Sequence, residues 1–86
     1  MSSINTLDSV ANLNPIPVER LTLVDSSYGP IQKLPVGQVG TVLAVYEGED
    51  PHYLVEFSDL QGREYAMAVL QPSEVLALHY NLSVAA

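Results

Sequence analysis

The chain has 86 residues, is 48% hydrophobic and 15% charged, and carries a formal net charge of -7. That length fits one small globular domain, which buries only about 60–65% of the surface its unfolded chain exposes. With no cysteine, disulfides and thiolate metal sites are excluded, and ten acids against three bases (Arg20, Lys33, Arg63) disfavour nucleic acid and anionic membranes as partners.

Residues 1–5 are polar and are expected to be loose. From Thr6 to Leu13, Thr6 suits a helix cap, Asp8 suits its first turn, and Leu7, Val10 and Ala11 fall at helical spacing. A helix over 6–13 is therefore predicted, ended by Asn14-Pro15-Ile16-Pro17. Glu19 to Val24 alternates weakly and reads as a first strand. The connection over 25–36 opens on a turn cluster, Asp25-Ser26-Ser27-Tyr28-Gly29-Pro30, and is long for a compact domain.

Gln38 to Tyr46 is the strongest strand. Val39, Thr41, Leu43 and Val45 take one side and Val42, Ala44 and Tyr46 the other. Gly40 inside it marks a bulge, a bend or a close backbone approach. Glu47-Gly48-Glu49-Asp50-Pro51 forms a hairpin connection to Tyr53–Phe57, with Tyr53, Val55 and Phe57 inward and Glu56 outward. A tight turn at Asp59-Leu60-Gln61-Gly62 gives glycine for a positive φ. A strand over Glu64–Leu70, a single 3₁₀ turn at Pro72-Ser73-Glu74 and a short strand over Val75–Leu78 complete the domain of residues 6–79, leaving a tail over 80–86.

The predicted class is all-β: a small five-stranded SH3-like barrel with a short N-terminal helix, ahead of an OB-like barrel, which needs longer strands. Val42, Ala44, Leu54, Ala66 and Ala68 make the expected outer face apolar, so something covers it. The candidates are the N-terminal helix, a partner chain or a second copy.

No catalytic or metal-ligating constellation is legible, and no cofactor is expected. His52 and His79 belong to no ligand-spaced motif, Ser26, Ser27, Ser58 and Ser73 sit where turns want hydroxyls, and no phosphate loop exists. An enzyme working in an acidic cleft would need His52 or His79 joined to a carboxylate in space. Tyr53, Phe57 and Tyr65 suit the core. Tyr28 and Tyr46 lie in a loop and at a strand end, where aromatics either line a peptide groove or anchor the loop. The acids of the 47–64 region either steer a basic partner or keep a small apolar domain soluble.

The segments Leu7-Asp8-x-Val10-Ala11-x-Leu13, Gly37-Gln38-Val39-Gly40-Thr41-Val42, Val45-Tyr46 and Tyr53-x-Val55-Glu56-Phe57-x-Asp59-x-x-Gly62-Arg63-x-Tyr65-Ala66 together resemble an uncharacterised family of small bacterial proteins known as a domain of unknown function. The resemblance covers most of the chain from Leu7 to Leu78, departs from the family between Leu13 and Lys33, and implies an SH3-like single-domain partner protein, in places beside a toxin-like gene, with no catalytic residues to carry over. Looser likenesses run to SH3-like subunits of photosynthetic electron-transfer complexes, through the Val-Gly-Thr-Val strand, and to ribosomal KOW motifs, whose RNA-binding use the acidity here opposes.

The expectation is a non-enzymatic protein-binding module, either an accessory subunit or an antitoxin- or immunity-like partner of a larger basic protein. Tyr28, Tyr46, Glu47, Glu49, Asp50 and Tyr53 are the predicted contact residues. The alternative is a structural homo-oligomer that pairs through an apolar strand face. No signal peptide is legible and no apolar run approaches the roughly 20 residues of a membrane span, so the cytoplasm is the expected location.

Overall fold

The computed structural model describes residues 4–24 and 32–78, and every structural statement here is made of those residues. They form strands β1 (Ser9–Asn12), β2 (Ile16–Pro17), β3 (Leu21–Leu23), β4 (Lys33–Leu34), β5 (Val39–Tyr46), β6 (His52–Ser58), β7 (Glu64–Leu70) and β8 (Val75–Leu78). Single 3₁₀ turns occupy Val18–Arg20 and Pro72–Glu74. Six strands make one sheet in the order β3-β7-β6-β5-β1-β8, while β2 and β4 pair as a separate ribbon.

The all-β expectation stands, but two of its details are corrected. No α-helix lies over 6–13; that segment supplies β1, fifth in the order of a sheet that has six strands rather than five. The chain turns at Asn5–Asp8, where Leu7 adopts φ +76, and continues as a strand whose Val10 and Asn12 are buried. The burial alternates with period 2, but the polar side chain of Asn12 on the inner face hides that alternation in the sequence. The sheet is also not a closed barrel, since β3 and β8 remain as edges.

The sheet nevertheless curls. β7 and β8 stand four places apart in the order, about 19 Å on a flat sheet at ~4.8 Å per strand. Their link, Gln71–Glu74, is mostly a 3₁₀ turn and spans only about 10 Å, so the β8 edge is drawn toward β7 at this end. Two bulges sharpen the bend. Leu43 is skipped between the pairs Val42↔Val55 and Ala44↔Leu54, and Tyr65 between Phe57↔Ala66 and Ser58↔Glu64.

These bulges correct the expected facing. Val42 and Val45 both turn toward the core, while Ala44 shares the outer face with Leu54 and Val69. Ala66 and Ala68 belong to the buried side, with Val10, Val42, Val55, Phe57, Leu70 and Val75. The outer face is thus less apolar than strict alternation suggests, and no helix among the described residues covers it. The expected core aromatics are placed inward: Phe57 and Tyr65 are buried, and Tyr53 packs against the cluster from its margin.

Asn12 is the buried polar residue of the core. Its amide donates to the carbonyls of Asn14 and Pro35, both at 2.8 Å, and its Oδ1 accepts the Gln38 N–H at 2.7 Å. One side chain therefore ties β1 to the start of β5 and to the entry and exit of the β2–β4 ribbon, which lie together at one end of it. Its own carbonyl accepts the Gly37 N–H, where φ is +84. Gly40 meets the last of the three expectations for that position, close approach: a Cβ there would lie 2.6 Å from Val55 Cγ1 and 3.0 Å from the Glu56 carbonyl oxygen.

Asn12→Ala is expected to lower the unfolding free energy by roughly 3 kcal/mol, because it leaves two carbonyls and one N–H unpaired. The near-isosteric Asn12→Asp should be at least as damaging, since a carboxylate cannot donate to those carbonyls. Urea unfolding measures both; a variant within about 0.5 kcal/mol of the parent contradicts the role. Gly40→Ala should cost about 1–3 kcal/mol through overpacking against buried Val55, and more than Gly37→Ala, which faces open space and pays about 1 kcal/mol for its φ. Thermal melts of the pair check the order.

Candidate functional site

The β5–β6 hairpin carries most of the sequence-predicted contact residues. Its last ladder pair is Tyr46↔His52, beyond which Glu47, Gly48, Glu49, Asp50 and Pro51 are exposed. The Tyr46 and His52 rings stack with centroids 4.8 Å apart and planes at 21°. His52 Nδ1–H donates to the Asp50 carbonyl at 2.9 Å; a carbonyl only accepts, so in the neutral ring this nitrogen holds the proton. The hairpin tip therefore presents a propped tyrosine, about half of whose surface meets solvent, beside three exposed carboxylates. Tyr53 belongs to a different setting: it pairs with Val45 and Leu70 and lies against the core. Tyr28 lies outside the described residues, as do Ser26, Ser27, His79, the tail 80–86 and the 25–31 part of the long connection.

Beside the hairpin opens a cleft of about 420 Å³ lined by Arg20, Asp50, His52, Val69, Gln71 and Glu74. A second hollow of about 260 Å³ shares Arg20 and Val69 with it and adds Thr22, Leu54, Met67 and Ala68, which gives it a more apolar wall. Both run along the outer face of β7 and β6. Between them sits a bidentate ion pair. Arg20 donates to the two Glu74 carboxylate oxygens at 2.7 and 3.0 Å and to the Val69 carbonyl at 3.0 Å. Glu74 also accepts the Gln71 N–H at 2.9 Å and closes a capping box on the 3₁₀ turn. The Arg20 hydrogen bond holds the Glu74 carboxyl below its ordinary range against an opposing effect of burial, and the same bond raises the Arg20 guanidinium. Burial, followed by the charge of Asp59, pushes the Tyr65 phenol up.

Sequence reasoning found Tyr46, Glu47, Glu49 and Asp50 as one group. It missed that Arg20 and Glu74, 54 positions apart, complete the cleft. The Gln71-Pro72-Ser73-Glu74 spacing held a signal, since a glutamate three positions after a cap turns back onto that cap. His52, read as a surface residue, is instead the support for Tyr46, and it stands in one cleft with the carboxylates of Asp50 and Glu74. Among the described residues, no three His, Cys, Asp or Glu side chains are grouped to hold a metal ion, and no helix is long and apolar enough to cross a membrane.

Residues 7–77, most of the 86-residue chain, match the family described as Domain of unknown function (DUF4926), in agreement with the expectation of an uncharacterised family. No curated protein and no solved structure matches the chain significantly.

The depressed Glu74 carboxyl has a signed consequence. Its contribution to stability is full above the ordinary glutamate value of 4.5 and is lost as pH falls through the lower folded-state value. The pair is solvent-facing, with 42% of the Arg20 and 21% of the Glu74 side chain exposed, so the contribution stays under about 1 kcal/mol. Urea midpoints measured from about pH 6 down to about pH 2 should fall less steeply for Glu74→Gln than for the parent, and high salt should shrink the difference. Parallel acid limbs would contradict it.

Proposed function

We propose, from the premise that the chain belongs to the family just described, that it is a non-enzymatic protein-binding module whose contact surface is the acidic Tyr46 hairpin and the cleft beside it. The partner is a larger protein with a basic surface, which this chain serves as an accessory subunit or neutralises as an antitoxin or immunity protein does. The single observation that carries the reading is the stacked Tyr46–His52 pair flanked by exposed Glu47, Glu49 and Asp50. Stacking restrains the tyrosine before binding, so less side-chain freedom is lost on contact. The carboxylates attract positive charge and raise the encounter rate. The hollow lined by Leu54, Met67 and Val69 offers apolar area next to that charge. A cysteine-free chain suits a reducing compartment, and the bacterial cytoplasm is the proposed setting.

A second reading, an enzyme of the acidic cleft, draws on His52 standing near Asp50 and Glu74. It is the weaker one. Both Glu74 oxygens are held by Arg20, one is shared with the Gln71 N–H, and the His52 Nδ1 proton is held by the Asp50 carbonyl. That tautomer leaves the His52 Nε2 lone pair available, but a general base acts with a second group on the substrate, and the Glu74 carboxylate is already committed to Arg20 and Gln71.

Affinity capture from native cells at low ionic strength, with identification of the co-eluting chain, tests the proposal. A stoichiometric basic partner is expected, released by salt. Tyr46→Ala should weaken the purified complex roughly tenfold or more, and Glu47→Gln with Glu49→Gln should slow association and reduce its salt dependence. Binding indifferent to all three substitutions, or no partner at low salt, overturns it.

A further inference from the structure

The opposite end of the sheet has a different chemistry. On the outer face of β5, β1 and β8, Ala11 stands directly between Val39 and Leu76, and Ser9 between Thr41 and Leu78. None of these six side chains is charged, although the chain carries -7. Val39 is 47% exposed and Leu76 53%. The acidic hairpin lies at the far end of β5, about 23 Å away at ~3.3 Å per residue. Beside Val39 is a hollow of about 360 Å³, lined also by Gly37, Gln38, Ser58, Asp59 and Leu60. Leu60 projects at its rim, fully exposed, from a turn that Asp59 braces by accepting the Gln61 and Arg63 N–H groups at 2.9 Å. The sheet order ends at β8, whose Val-Leu-Ala-Leu sequence has no charge and no proline to guard the edge.

We infer that this face is the interface between two copies of the chain. Two properties select a second copy over another occupant. Copies that each carry -7 repel one another least where charge is sparse: the Val39–Ala11–Leu76 row and the β8 edge carry none, and the carboxylates beside them are Glu56, across from Thr41, and Asp59 in the hollow. An antiparallel edge strand is also its own complement. A two-fold axis beside β8 sets each β8 antiparallel against its counterpart, with the Leu76 side chains on the shared outer face. The inference is independent of the hairpin reading, because the two surfaces lie at opposite ends of β5.

Sedimentation velocity of the full chain over a range of concentrations tests it. A concentration-dependent dimer is expected. Leu76→Glu should raise its dissociation constant roughly 30-fold or more while the circular dichroism spectrum is retained. Glu49→Gln should leave it unchanged, which separates this surface from the hairpin. The chain has no cysteine, so Leu76→Cys supplies a unique thiol; mild oxidation should link two chains through it and should not link Glu49→Cys. A chain monomeric at roughly millimolar concentration overturns the inference. So does a chain that dimerises only after residues 79–86 are removed, which would assign the face to its own C-terminal segment.

Discussion

The Asn12 side chain is the constraint on which this small sheet depends. A domain of this size has little core to spare, and its unfolding free energy lies in the range of roughly 4–13 kcal/mol at 0.05–0.15 kcal/mol per residue. Within that core one polar residue is buried, and its three hydrogen bonds reach two loops and the start of β5. Buried amides are costly when unpaired and specific when satisfied. Here the satisfied amide fixes where β1 sits, and β1 fixes where β8 can pair. The β2–β4 ribbon, with only two residue pairs of its own, places Ile16 and Leu34 in the core because the same side chain holds the chain just before Ile16 and just after Leu34.

From that seam the rest follows by geometry. Curling brings the end of β7 near the start of β8, and the 3₁₀ turn between them delivers Glu74 to Arg20. The bulge at Leu43 rotates the end of β5, so that Val45 enters the core and Tyr46 emerges on the face that carries His52. Were Leu43 paired in regular alternation instead of skipped, Tyr46 would point with Val42 and the stack with His52 would be lost. The candidate site is therefore a product of sheet irregularity. Its aromatic prop comes from a bulge, and its ion pair from the approach of strands distant in the sheet order.

Much of this was legible in the residues. β7 and β8 were read with their observed bounds, β5 and β6 nearly so, and the Pro72–Glu74 turn as found, because period-2 apolar runs bounded by glycine, proline and aspartate leave few alternatives. Gly40 announced a close approach, which the position of Val55 explains. β1 was misread because two competing signals agreed by chance. Leu7, Val10 and Ala11 fit a helical face, while polar Asn12 broke the strand alternation at the position that is buried. Leu7, exposed at the turn, contributes nothing to any apolar face. The bulges were illegible because they are properties of pairing, and the sequence of one strand does not state which residue its neighbour will skip. Tyr46, Glu47, Glu49 and Asp50 could be grouped because they are consecutive or nearly so; Arg20 and Glu74 could not, because only the curl makes them neighbours.

The placement of β1 between β5 and β8 has a consequence for the order of events during synthesis. The earliest strand to leave the ribosome must hold an unpaired backbone until β5 arrives to cover one flank, and its other flank stays open until Leu78 has cleared the exit tunnel. Such non-local closure slows folding and leaves nascent chains open to illicit pairing. The ribbon and hairpins in between can assemble early, but the domain becomes a finished object only after translation of its last strand.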